Sequence, residues 1–464
     1  MKPNSTATRE YDRYSAILNS FARGGIENAS VYSEVCRQVR EERSDTSLTE
    51  LEITRVSAGV AGPVLCSYVL WVLSQSIEMG LQRLYFISRD GEILLEIARR
   101  LLPAFWPDSG LKLRYLYGSR QAWMLPSFLV SKVEIAPYLL RFLENSSLKT
   151  IFARVELILQ DCEPTLLKYG LTSNDWERDL QQRDFKSVKA LVMDLAIQKL
   201  IADRAEEQKT ATLGYLEQEG LFDDIRYGLV DLGWTGAAKG ALEKLLSIRD
   251  KPAPPCFLFG RVTDHSSDDP SALHAYHFNI DESKGVSIGA NRNLSAIYVL
   301  IEMFCASISE GLVRYEYKDG RYVPLLRAST NEAVRAWGFQ TMRDTILSFA
   351  EILAGQTSHI KSPSFLSPAI SDVLLRAFWR TPTKQEAMVW GQFPFEEDPN
   401  GATFHRLVPP IEPGTFSRAL RTGNGFRAFC VWSRGIFAVN PFWVRFLWLL
   451  AMAGYRIRKR IFTK

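Results

Sequence analysis

The chain has 464 residues, 46% of them hydrophobic and 23% charged, the composition of an ordinary globular protein with room for two or three domains. Its formal net charge of +4 is small for that length and gives no general electrostatic footprint for nucleic acid, which is therefore not an expected partner. Six cysteines, at 36, 66, 162, 256, 305 and 430, form no CxxC pair and read as buried thiols of a reducing compartment, not as disulfides or zinc ligands.

The N-terminus is polar and lacks the apolar stretch of a signal peptide, so a cytoplasmic location is expected. Residues 1–48 read as a polar, partly helical lead-in, and residues 49–127 as the first part of an α/β domain. The uncharged run Val56–Ile77 approaches the length of a membrane span, about 20 residues. Its Ser57, Gly59, Gly62, Pro63, Ser67, Ser74, Gln75 and Ser76 favour a buried helix instead, with Gly62-Pro63 kinking it or starting a new one and Gly80 closing it. A strand is expected at 84–88, without alternation and hence buried on both faces. A helix over Glu92–Leu102 follows, with Ile93, Leu94, Ile97, Ala98 and Leu101 on one face and Pro103 as its stop, then a strand over Leu113–Gly118 that ends in Ser119-Arg120.

Residues 128–220 are patterned almost entirely as helix and read as a cap or insertion. The α/β pattern returns in 221–330, with a strand at Tyr227–Leu232, a helix at Ala237–Leu246 and a strand at Cys256–Val262. Beyond Asp264 the chain is loop-rich, with a helix at Leu294–Ala306 and a hairpin at Gly311–Leu325 around Lys318-Asp319-Gly320. Residues 331–439 form a helical and irregular region, with helices at 331–353 and 366–379, and 440–464 a separate basic, amphipathic helix. This order predicts an α/β fold: a Rossmann-like, mostly parallel sheet with an inserted helical cap and a helical C-terminal region.

Two strand-to-helix junctions carry acids. The first is Leu84-Tyr85-Phe86-Ile87-Ser88-Arg89-Asp90-Gly91, the second Asp231-Leu232-Gly233-Trp234-Thr235-Gly236. Open α/β sheets hold their ligands at such strand ends, where helix N-termini present amides to anions. Haloacid dehalogenase-like phosphohydrolases have Asp-x-Asp-Gly at this junction, and on that template Asp90 takes the second acid's position and Ser88 the nucleophile's. Serine lacks an activating base here and adds no charge to a magnesium site, which argues against phosphoaspartate chemistry. Ser119 matches the template's phosphoryl-binding hydroxyl, and Asp231 its distal magnesium acid. A second template, the phosphoribosyltransferase loop, matches one acid and the Thr235-Gly236 amides, with Val230 and Ala238 as departures.

A broader resemblance rests on Ala58-Gly59-Val60-Ala61-Gly62-Pro63, Tyr85 to Gly91, Ser119-Arg120, Asp231 to Gly236 and Ile301-Glu302. Together they resemble a group of bacterial proteins labelled predicted haloacid dehalogenase-like hydrolases, which accompany surface-polysaccharide gene clusters; the phosphatase-like domain preceding this region in longer members is not in this chain. The resemblance implies a phosphorylated sugar or nucleotide ligand and a glycosyltransferase as partner. Asp90 and Asp231 would hold Mg2+, while Ser88 occupies the degenerate catalytic position. Arg89, Gly91, Ser119, Arg120, Gly233, Trp234, Thr235, Gly236 and Glu302 would line the ligand site.

Each residue has a plainer reading. The arginines could neutralise buried acids, Trp234 could roof the sheet edge, and Glu302 could be a buried acid with an arginine partner. His274 and His277, three apart and without a third ligand, read as core or surface residues. Phe442–Ala453 is apolar and aromatic apart from Arg445 and precedes Arg456, Arg458, Lys459, Arg460 and Lys464. It is too short to span a bilayer and suits a helix lying on the anionic inner face of the cytoplasmic membrane through residues 441–464, or one packed on protein. The rival functions are a phosphoribosyl-type transferase and a non-catalytic scaffold of a glycan assembly.

Overall fold

The computed structural model describes residues 12–43, 47–131, 135–140, 143, 146–263, 272–281, 292–308, 311–327, 332–396, 404–409, 431–447, 449 and 450. The polar lead-in is helical and packs on the body of the protein: α1 (Arg13–Arg23) and α2 (Asn28–Glu42) place Tyr14, Leu18, Tyr32, Val35 and Val39 in the main core. The apolar residues recur at helical spacing there, which the surrounding charges mask in the sequence. Then come α3 (Leu48–Val56), one π-helical turn at Ser57–Ala61, and α4 (Gly62–Glu78). Pro63 falls where the π-helical turn passes into α4, inside one continuous helical run from Leu48 to Glu78, and Gly80 closes the helix in the left-handed region at φ 64°. The apolar window within Leu48–Glu78 is 94% buried in the protein itself, as a core helix requires.

The sheet is built from β1 (Arg83–Ile87), β2 (Lys112–Leu116), β3 (Tyr227–Asp231), β4 (Cys256–Thr263) and β5 (Leu273–Asp281), in the order β2-β1-β3-β4-β5, every pair parallel. β1 is buried on both faces. Leu84 and Phe86 meet the core formed with α1–α4 and α5 (Gly91–Phe105), whereas Tyr85 and Ile87 join a second core on the opposite face. That second core is covered by α6 (Arg120–Ser131), α11 (Leu195–Gln218) and α12 (Ala237–Ser247), giving three layers.

Two expectations are corrected. Pro103 does not stop α5, which continues to Phe105; the proline falls in the exposed last turn, so the lost hydrogen bond is near the helix end anyway. The loop-rich reading beyond Asp264 missed β5, whose apolar alternation is broken by a bulge. Leu258 pairs with Ala275 but Gly260 with Phe278, so Tyr276 and His277 both face Phe259. His274 and His277 therefore lie on a strand, stacked on Phe257 and Phe259, among apolar neighbours that lower both imidazole pKa values by burial, that of His277 to about 4.

The cap between α6 and α11 contains α7 (Ala136–Leu139), α8 (Leu148–Ala153), α9 (Leu159–Lys168) and α10 (Phe185–Val192), and buries a core of its own around Leu148, Ile151, Phe152, Cys162, Leu166, Val188 and Leu191. After β5 come α13 (Arg292–Phe304) and the hairpin β6 (Leu312–Lys318) and β7 (Arg321–Leu326), turning through Asp319 and Gly320, both at positive φ. The rest is α14 (Glu332–Trp337), α15 (Phe339–Ala354), α16 (Pro368–Arg380), α17 (Lys384–Trp390), a short ribbon of β8 (Pro394–Glu396) and β9 (Phe404–Arg406), and α18 (Ser433–Val439). At the β2 edge, Tyr315 donates its hydroxyl to the Tyr117 carbonyl (2.6 Å), the Tyr117 amide donates to the Tyr215 hydroxyl (3.2 Å), and the Tyr215 and Tyr315 rings stack at 4.2 Å. The five described cysteines, Cys36, Cys66, Cys162, Cys256 and Cys305, are free and buried.

Candidate functional site at the strand ends

β1 and β3 are neighbours, yet the chain leaves β1 for β2 on one side and β3 for β4 on the other. The helices that follow therefore diverge, and the crevice between them is where open α/β sheets bind ligands. Asp90, directly before α5, and Asp231, the last residue of β3, stand at this switch point. Gly91 lets the α5 N-terminus approach β1: a Cβ there would lie 2.8 Å from the carbonyl carbon of Phe86. Gly233 has φ 119° and would drive a Cβ to 2.2 Å from the Gly260 carbonyl oxygen, so only glycine fits both its backbone and its space. The Ser88–Arg89 and Gly233–Trp234 peptide bonds are both cis.

Three carboxyl groups interact here. Burial pushes Asp90 up to about 7, reinforced by the charges of Glu302 and Asp231 and opposed by Arg89 and Arg120. Burial also raises Asp231, to about 6, against the amides of Leu232 and Gly233 and the Arg120 charge; the Leu232 amide donates to Asp231 Oδ1 at 2.8 Å. Glu302 on α13 is raised by burial as well, although Trp234 Nε1 donates to its Oε1 at 3.0 Å. Trp234 is held by Tyr298, at 4.1 Å between ring centres, and by Phe278, stacked at 5.9 Å. The Tyr68 hydroxyl, on α4, reaches the carbonyls of Asp231 (2.8 Å) and Phe257 (2.9 Å) and fixes the end of β3 against β4.

Both serines bond to the backbone. Ser88 donates to the Gly118 carbonyl (2.9 Å) and accepts from the Gly118 amide (3.0 Å), clasping the ends of β1 and β2. Ser119 donates to the Leu312 carbonyl (3.0 Å) and accepts from the Ala122 amide (3.0 Å), which makes it the N-cap of α6. The single proton of each hydroxyl is thus committed to a backbone carbonyl. Arg120 opens α6 and is exposed, and Arg89 is half-buried beside Asp90. Gly236 takes the left-handed conformation (φ 74°) directly before α12, whose N-terminus has no side-chain cap, leaving first-turn amides beyond Thr235 for a ligand.

The site also includes groups the motifs did not reveal. The Tyr115 phenol, raised by burial and by Glu92 and Asp90, interacts with Ser88. Glu92 accepts from the Ser307 hydroxyl and pairs with Arg343 at 3.3 Å. Position on an edge strand or in a first helical turn was the only sequence signal for either. Among the described residues, no three aspartate, glutamate, histidine or cysteine side chains form a metal-holding group. No protein-family model matches the chain, and no curated protein matches it.

Proposed function

We propose that the strand-end site binds a phosphorylated sugar or nucleotide and hydrolyses its phosphate ester, as a haloacid dehalogenase-like protein of bacterial surface-polysaccharide biosynthesis with no aspartyl nucleophile. The observation that carries this reading is the pairing of Asp90 and Asp231 across the β1/β3 switch point, each with a pKa raised toward neutrality. Carboxyl groups whose pKa values lie near neutrality can give or take a proton at the working pH. Asp90, which takes the position of the template's second acid, gives its proton to the departing ester oxygen. Asp231 takes a proton from the attacking water, whose oxygen forms the new bond to phosphorus as the ester bond breaks. Arg89 and Arg120 balance phosphate charge, and the α12 amides receive it. Ser88 and Ser119 hold the strand ends in place and do not touch the ligand.

Two carboxylates completed by ligand phosphate oxygens are a common magnesium donor set, and the mutual repulsion of these acids is the situation a cation relieves. Asp231 would hold the ion together with ligand phosphate oxygens, Asp90 joining it only once its proton has been given up, and the ion when bound would supply charge neutralisation at the phosphoryl group. The test is phosphate release and calorimetry with Mg2+ and a panel of sugar phosphates, nucleotides and nucleotide sugars. Release from at least one class is expected, optimal between about pH 6 and 7 and abolished in Asp90→Asn and Asp231→Asn. Absence of both binding and release across the panel overturns the proposal.

The uncapped α12 N-terminus after Gly236 favours a second reading, a phosphoribosyl-type transferase. It predicts binding of a ribose diphosphate, lost in Asp231→Asn, without phosphate release from monoesters.

A further inference from the structure

The last described residues leave an apolar face uncovered. Residues 442–447 and 449–450 are helical, and Phe442 (79% exposed), Trp443 (63%), Phe446, Leu447, Leu449 and Leu450 all face solvent. At about 100° per residue these six side chains fall within an arc of roughly 160°. Val444, outside that arc, is buried, and Arg445 on the remaining side donates to the Asn440 carbonyl at 2.8 Å. The three aromatic side chains alone leave on the order of 400 Å² to water, taking about 200 Å² for each. Exposed apolar patches of this size are often used for contact.

The root of this helix is firm. Trp432, directly before α18, is fully buried, stacks on Trp379 at 4.9 Å and donates its indole N–H to the Trp379 carbonyl at 2.7 Å. The amides of Val444 and Arg445 bond to the Pro441 carbonyl, which starts the helix from the end of that anchor. Val444, 3% exposed, packs the opposite side of this helix against the protein and so turns the apolar face outward.

Charge decides what covers it. The sequence that follows carries Arg456, Arg458, Lys459, Arg460 and Lys464 and no acid, so aromatic and aliphatic side chains are joined to a purely cationic segment. A second copy of the chain would bring the same five cations against these and be repelled. A bilayer with anionic headgroups satisfies both parts: Trp, Phe and Leu side chains enter the headgroup and acyl boundary while the cations meet the lipid charge. We propose that the 442–450 helix is a docking surface for an anionic lipid bilayer, lying in its interface without crossing it. This proposal is independent of the chemistry at Asp90 and Asp231.

The test is sedimentation of the full chain with vesicles of phosphatidylcholine alone and of phosphatidylcholine with one-third phosphatidylglycerol, by roughly 0.1 M and 1 M salt, at which the screening length falls from about 10 to about 3 Å. Binding is expected to the anionic vesicles at low salt, with a large loss at high salt. The F442S/F446S/L449S variant, altered only at exposed positions, should bind more weakly by about tenfold or more. The R458Q/K459Q variant should lose about 30-fold. Equal binding to neutral and anionic vesicles, or undiminished binding of the apolar-face variant, overturns the proposal. So does self-association of the native chain, seen by analytical ultracentrifugation and abolished by the same triple variant, without vesicle binding.

Discussion

The two ends of the central sheet handle charge in opposite ways. At the strand N-termini, Arg83 Nη1 donates to the Tyr85 hydroxyl (2.8 Å), the Gly220 carbonyl (3.3 Å) and Asp223 (3.1 Å), with its buried Nε left without a partner among the described residues, while Gln82 exchanges hydrogen bonds with the backbone of Arg226. At the C-termini, burial raises the pKa of Asp90, Asp231 and Glu302, the Glu302 charge adds to the rise at both aspartates and the Asp231 charge to that at Asp90, and the neighbouring arginines offset this only in part. One end is arranged for stability. The other retains an electrostatic cost that folding alone does not require, and such costs concentrate where a ligand is to be met.

The largest test of this contrast concerns backbone. Gly233 and Gly220 both have positive φ, but a Cβ at Gly233 meets a backbone carbonyl, whereas at Gly220 it meets the tips of Asp223 and Arg83, which can move. Gly233→Ala should therefore lower the unfolding free energy by about 3 kcal/mol or more and Gly220→Ala by about 1–2 kcal/mol, read by urea denaturation. Equal losses would show that the site end is no more constrained than the other.

The next effect is electrostatic. Burial raises Asp90 to about 7, so the folded chain holds that proton more tightly than the unfolded chain does. The associated stability is complete below the usual carboxylate range, near pH 4, and is lost as pH rises through 7. Asn mimics the protonated form, so Asp90→Asn should be near neutral at pH 4 and stabilising by about 1–3 kcal/mol at pH 8, after discounting for its partial exposure. A pH-independent difference would remove the contrast. The smallest effect belongs to the satisfied end: Asp223→Asn, at an ion pair with one half-exposed partner, should cost less than about 1 kcal/mol in the same denaturation assay.

The central strands and the two acids were legible because an unbroken apolar run that ends in a charged residue is the pattern of a buried parallel strand emerging at the sheet edge. Residues Tyr85 to Gly91 and Asp231 to Gly236 lie where their patterns place them, at adjoining strand ends. The backbone partners of the serines were not legible, since Gly118 and Leu312 are brought to Ser88 and Ser119 only by the folded sheet and the hairpin. Glu302 joined the site through a motif, but its tie to Trp234 spans 68 positions and exists only in three dimensions. β5 escaped notice because its bulge shifts the alternation midway and places two histidines among the aromatics. The basic tail expected to continue the last helix, residues 451–464, lies outside the described residues.

The tyrosines around the Tyr117 backbone have a bearing on how the protein behaves among its own copies. β2 is the outer strand of a parallel sheet, and an outer strand offers its peptide groups to any extended chain that drifts past. Just beyond β2, both peptide groups of Tyr117 are already bonded to phenol oxygens, one delivered by α11 and one by the β6–β7 hairpin. A foreign strand could not extend its pairing along this border without displacing a stacked pair of rings. The border just beyond β2 is thus closed by two side chains, Tyr215 and Tyr315, that the sequence keeps far apart and the fold sets face to face.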